Sequence, residues 1–282
     1  MLMDAYVFLA VLAAALFHAL WNAGLKVRIS PGIAITLMSV VAGAVALPLP
    51  FVFGLPAPAS WPYLAASLAI HLFYYITLAE AYRTGDLGQV YPIARGSAPL
   101  MTAIGSALLL GESLGALGWS GVVVLTSGVA LLSMRGGTLN VFDGRSIGFA
   151  FATAATIAAY TLVDGVGGRL SGNVHAYAVM LFILDGLMMI VYGLVRQRSE
   201  IASAFAAGWS LVIGGGVLSL ASYWIAIWAM SVAPIALVAA VRETSVLFAA
   251  LLGVFLLKEP VMPVRMAAAA LVLTGLVLIR LH

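Results

Sequence analysis

Two arginines stand inside long apolar stretches of this chain, Arg95 and Arg242. A guanidinium at the centre of a membrane-spanning helix costs about 2.5–3.5 kcal/mol by insertion measurements, and less near the helix end. A cost of that kind is offset by a partner or by a watery cavity. Arg95 lies about seven residues into the run that opens at Leu87, roughly 10 Å along a helix rising ~1.5 Å per residue. It is close to a helix N-terminus, where the macrodipole favours negative charge. Arg95 is therefore read as a group that binds or steers an anion, against the alternative of a structural pair with a neighbouring carboxylate. Arg242 lies at a similar depth past Pro234 and is followed by Glu243, Thr244 and Ser245. Consecutive helical residues point about 100° apart, so Arg242 and Glu243 cannot pair edge to edge. Glu243 is a candidate proton carrier, because desolvation favours a neutral carboxyl and a nearby guanidinium favours the charged form. The alternative is a buried network joining Arg242 to Glu80 or Asp185.

Other polar residues share faces at spacings of four and seven. His71, Tyr75 and Tyr82 do so, as do Tyr91, Arg95 and Thr102. His18 and Asn22 share a face with Trp21 beside them, and Thr156, Tyr160 and Asp164 form a further stripe. Ser219, Tyr223 and Trp224 lie deeper than interface aromatics usually do. Such stripes belong inside a helix bundle, since lipid would leave them unpaired. His18, Asn22, His71, Tyr75, Tyr91, Tyr223 and Trp224 are thus expected to line a site with the two arginines. An intramembrane carboxyl is a functional candidate by default. Asp185, the deepest, is a second proton-coupling candidate, against ion-pairing with Arg95, Arg242 or Arg169.

Of the 282 residues, 64% are hydrophobic and 8% are charged, so the bilayer must be the solvent for most of the chain. Uninterrupted apolar runs do not alternate as barrel strands do, which leaves helices. The pattern predicts ten spans, at about 5–25, 32–53, 62–82, 87–110, 115–134, 146–165, 173–195, 209–230, 234–257 and 262–280. The first is expected to be retained, as it has neither a basic leader nor a small-residue cleavage site. Asp86 and Gln89 form a capping box at the fourth span, and Pro99 is expected to kink it. Gly214-Gly-Gly216 and the run Ala267 to Ala270 allow close helix packing. The net charge of +3 reflects basic residues at helix ends, which is membrane topology and not a nucleic-acid footprint. With no cysteine there is no thiol chemistry. No cofactor or metal motif is present, and no GxxxxGK[ST] loop, so ATP hydrolysis is not the energy source.

The two halves resemble each other. One offset pairs Arg95 with Arg242, Ser97 with Thr244, Glu112 with Glu259, and Gly128 with Gly275; one residue more pairs Tyr75 with Tyr223 and Ala81 with Ala229. Five spans per repeat would insert the halves upside down to each other, the plan of many secondary carriers. His18-Ala-Leu-Trp-Asn22, Ala81-Tyr82, Leu110-Gly-Glu112, Leu256-Leu-Lys-Glu259, Gly128 and Gly275 stand out beside these pairs. Through them the whole chain resembles the ten-helix EamA-type branch of the drug/metabolite transporter superfamily. Gly85 to Arg95 also resembles a bacterial subgroup associated with phosphonate or organic-acid uptake. The resemblance implies an all-α membrane protein of two inverted five-helix repeats, 1–137 and 145–282, around a central cavity with the fifth and tenth helices peripheral. It also implies alternating-access transport of a small polar, anionic or zwitterionic, metabolite across a bacterial inner membrane.

Lys26, Arg28, Arg83, Arg135, Arg145, Arg196, Arg198, Lys258 and Arg265 fall in the connections on one side, against Arg169 and Arg280 on the other. That count puts both termini outside the cytoplasm, whereas the resemblance implies termini inside. A broad exporter of amphipathic compounds is the rival reading; it calls for an aromatic, acidic pocket, and two arginines count against it. Asp164 and Asp185 on consecutive helices raise the thought of an intramembrane aspartyl protease. Their sequences, Val163-Asp-Gly-Val-Gly and Leu184-Asp-Gly, lack the motifs of one, so no enzyme is expected. Small-molecule substrate, lipid and coupling protons are the expected partners.

Overall fold

Every element of the structure, a computed structural model, is helical among the residues it describes, which are 3–24, 30–84, 87–133, 144–257 and 263–282. In chain order they are α1 (Ala5–Gly24), α2 (Pro31–Ala46), α3 (Pro50–Phe53), a 3-10 turn (Pro58–Ser60), α4 (Trp61–Thr84), α5 (Leu87–Leu110) and α6 (Ala116–Ser133). There follow α7 (Gly144–Leu170), α8 (Val174–Arg196), α9 (Arg198–Val232), α10 (Ile235–Arg242), α11 (Ser245–Leu257) and α12 (Pro263–Leu281). Seven stretches are long and apolar enough to cross a membrane, and α2 and α6 add shorter apolar helices. With backbone polar groups unable to reach water in hydrocarbon, an all-helical chain of this composition is a membrane protein.

The elements depart from ten simple spans in three places. The stretch expected to run from 32 to 53 stops at Ala46, because Pro48 and Pro50 remove two amide donors; Pro50 then opens the single turn α3. The stretch from 234 to 257 is broken into α10 and α11 at Glu243 and Thr244, whose amides bond three residues back to Ala240 and Val241. α9 begins eleven residues before the expected 209, at Arg198, and bends at Gly208, whose φ of −146° and ψ of 29° leave the helical region. α5, by contrast, runs as one helix through Pro99.

Glycines decide which helices touch. At Gly128, a Cβ would meet Val272 N at 2.7 Å and Ala268 O at 2.9 Å; at Gly275 it would meet Leu125 N at 2.5 Å. α6 and α12 therefore meet backbone to backbone. Gly43 of α2 and Gly186 of α8 face each other in the same way, a Cβ on either lying 3.0 Å from the other's Cα. Of the triplet in α9, Gly215 and Gly216 press on Met38 and Val41 of α2, while Gly214 faces nothing within 4 Å. The remaining large contacts place α4 and α5 on α7, α9 and α11 on α1, and α10 on α5.

Candidate functional site

α5 delivers Arg95 to the interior, and the break between α10 and α11 delivers Arg242, Glu243 and Ser245 to the same place. Arg95 Nε lies 3.1 Å from Glu243 Oε2, with the two side chains only 12% and 5% exposed. Arg95 Nη2 donates to Ser245 Oγ at 3.0 Å and approaches His18 Nε2 at 3.4 Å. Arg242 points elsewhere. Its guanidinium carbon sits 5.0 Å from the centre of the Tyr223 ring, a cation–π geometry, and Tyr160 is within its electrostatic reach. No carboxylate among the described residues lies within 4.0 Å of Arg242. Both arginines are within electrostatic reach of Glu243 and His18, so the two halves contribute to one polar cluster. The adjacent Arg242 and Glu243 do diverge, as their helical spacing requires, and the networks with Glu80 or Asp185 are replaced by these partners.

Tyr223 links this cluster to a second. Its hydroxyl donates to Asp164 Oδ2 at 2.5 Å, and Tyr177 donates to Asp164 Oδ1 at 2.9 Å. Asp164 is fully buried, and two hydroxyl donors are the ordinary compensation for such a group. His71 stacks on Tyr160 with centroids 4.4 Å apart and planes 21° from parallel. His71 Nδ1 lies 2.9 Å from Ser67 O; a carbonyl only accepts, so Nδ1 carries a hydrogen. Asp164 and Asp185 are both within electrostatic reach of His71. Tyr75 and Ser39 stand near Asp185, whose buried Oδ1 has no hydrogen-bond partner. Asp185 thus neighbours His71 and not Arg95, Arg242 or Arg169.

Asn22 and Trp224 make their described hydrogen bonds to groups other than the arginines. Asn22 spends its amide on His18 O at 2.9 Å, within its own helix. Trp224 donates to His175 Nδ1 at 2.9 Å and sets its edge against Phe53, toward the helix ends. The side chain of Tyr91, the Asp86–Gln89 cap and Glu259 lie outside the described residues. Among the described residues, no group of three His, Asp or Glu side chains could hold a metal ion.

The sequence reading passed over a third polar cluster. Gly111 ends α5 with φ +66°, a left-handed value that glycine adopts freely, and this turns Glu112 back toward the bundle. Glu112 Oε2 accepts from the Ile235 amide at 2.8 Å, at the start of α10, and from Ser106. Its other oxygen pairs with Arg169 Nη2 at 2.6 Å. Arg169 further donates to Met230 O at 2.9 Å and Ala233 O at 3.0 Å, the carbonyls that close α9. The signal was the dipeptide itself, a helix-ending glycine followed by an acid, which offers a charge but does not name its partner.

An all-helical membrane fold with arginines, carboxyls and aromatics gathered between its halves defines a class of integral membrane proteins with a polar interior. Comparison with known families narrows this. The model of the EamA-like transporter family matches residues 1–134 and again 144–281. The chain belongs to that family, and is a multi-pass membrane transporter of the drug/metabolite type. One solved crystal structure superposes with a TM-score of 0.75 at 18% identity, covering 98% of this chain and 96% of the other, and so shares its fold.

Proposed function

We propose that the chain is a secondary carrier that moves a small polar metabolite with a carboxylate or similar anionic group, anionic or zwitterionic overall, by alternating access across a bacterial inner membrane. Ten crossings are built from two inverted five-helix repeats, 1–137 and 145–282; α10 and α11 count as one crossing and α3 as none. The reading rests on one observation: Arg95 and Arg242, equivalent residues of the two halves, converge on Glu243 and His18 in the protein interior. Arg242 is the anion's principal contact, because Arg95 already pairs with Glu243 at 3.1 Å while no carboxylate among the described residues comes within 4.0 Å of Arg242. His18, His71, Tyr75 and Tyr223 line the path, with Asn22 and Trp224 supporting its walls. Glu243 and Asp185 are the proton-coupling candidates, Glu243 because an incoming anion competes with it for the guanidiniums.

The test is transport by the purified protein in proteoliposomes under an imposed proton gradient, with a panel of amino acids, phosphonates and organic acids. Normal transport by folded Arg95→Ala and Arg242→Ala proteins would refute the anion site. The aromatic cluster of His71 stacked on Tyr160 with Tyr223 edge-on to both, and with Asp164 and Asp185 beside it, favours a second reading, a broad exporter of amphipathic compounds. Export of cationic dyes that survives both arginine substitutions would decide for it.

A further inference from the structure

α10 is an eight-residue helix with a joint at each end. At one end Glu243 and Thr244 bond three residues back and Val246 bonds to Glu243 O, a tightened turn of the kind that marks hinges within spans. At the other end Pro234 lacks an amide donor, and the first amide of the helix, that of Ile235, goes to a carboxylate from the opposite half of the chain. Between the joints every residue from Ile235 to Val241 is buried. What fixes the tilt of this segment therefore fixes Arg242 over Tyr223 and Glu243 against Arg95.

We infer that Glu112 and Arg169 are positioning residues that latch α10 in place and hold this end of the bundle closed. Three connections meet in the latch: that after α5 supplies Glu112, the end of α7 supplies Arg169, and the α9–α10 turn supplies two carbonyls and an amide. A carboxylate beside the first amide of a helix also faces the positive end of its dipole. No other group among the described residues bonds the Ile235 amide, and Glu112 is the one carboxylate paired with Arg169. Two further ties close the same end, Asn173 Nδ2 to Phe53 O at 2.9 Å and the Ala57 amide to Ser171 O at 2.9 Å. Neither carries charge, so the Glu112–Arg169 pair is the strongest contact to break when the end opens. Substrate that reaches Arg242 from this side passes only after that pair separates.

The chain has no cysteine, so a single reporter thiol can be read without background. Ala239→Cys on α10 is reconstituted in vesicles, and a membrane-impermeant maleimide is applied to one face at a time, without substrate. Glu112→Gln, which removes the ion pair, should speed labelling from the Glu112 face by about tenfold or more, the weight of one charge-assisted hydrogen bond. Labelling from the opposite face should not rise. Arg169→Gln should act in the same direction, and Arg169→Lys should restore part of the protection. A folded variant labelled at the parental rate, or equally faster from both faces, overturns the proposal. So does failure of both Gln variants to fold, which would make the cluster a requirement of folding and not a latch. The readout needs no transported solute, so it stands or falls separately from the anion-carrier reading.

Discussion

Arg95 and Glu243 face each other across the two halves of the chain at 3.1 Å in a nearly dry setting. Removing one partner of a buried ion pair costs about 3–5 kcal/mol when nothing else answers the remaining charge, and less here, where Arg242 stands near Glu243 and Ser245 bonds Arg95, whereas replacing both is close to neutral. Arg95→Met and Glu243→Gln should each lower the melting temperature in detergent. The double substitution should recover most of that loss while leaving transport impaired. Additive losses would show that the two do not act as a pair.

Tyr223 has two separable jobs, since its ring lies under Arg242 and its hydroxyl serves Asp164. Tyr223→Phe keeps the ring, and should cost about 1–3 kcal/mol in stability for the lost donor to a buried carboxylate, with little change in KM. Tyr223→Leu also removes the platform, worth about 0.5–2 kcal/mol to a desolvated guanidinium, and should raise KM severalfold or more. Equal KM values in the two variants would detach Arg242 from substrate.

Arg242→Ala should cut kcat/KM for anionic substrates by about two orders of magnitude, the range expected when a charged group loses its buried partner. Stability should change little, because no carboxylate is stranded by the substitution. Initial uptake rates together with a thermal-shift curve check both statements.

The glycines of the packing contacts give a stability prediction with an internal control. Gly275→Ala drives a methyl into Leu125 backbone and should cost about 1–3 kcal/mol. Gly214→Ala meets open space inside a helix and should be neutral or stabilising by up to about 1 kcal/mol. Thermal unfolding of the two single variants decides it.

The helical class, the membrane setting and the polar faces were legible because apolar run length and spacing report burial directly. The arginines were recognised for the same reason: a charge inside an apolar run has to be answered by something. What answers it was not legible. Glu243 was read as a proton carrier unable to pair edge to edge with Arg242, with no partner named for it; it faces Arg95, because the break after Arg242 turns it toward α5. Asp185 was weighed against the arginines and instead lies by His71, since α8 packs on α2 and not on α5. The Glu112 cluster was invisible for a related reason. Its partners come from three connections whose meeting depends on the packing of whole helices, which no local pattern encodes.

Where α6 crosses α12, nothing but main chain separates the two axes, because Gly121, Gly128 and Gly275 leave no side-chain cushion. One of these helices comes from each half. A seam of that kind resists sliding, because a shift along either axis drives main chain into main chain. α2 and α8, again one from each half, meet in the same way through Gly43 and Gly186, so a second close seam joins the halves away from the first. Bulk added at either seam should therefore force the halves apart, where the same bulk at a lipid-facing glycine would not.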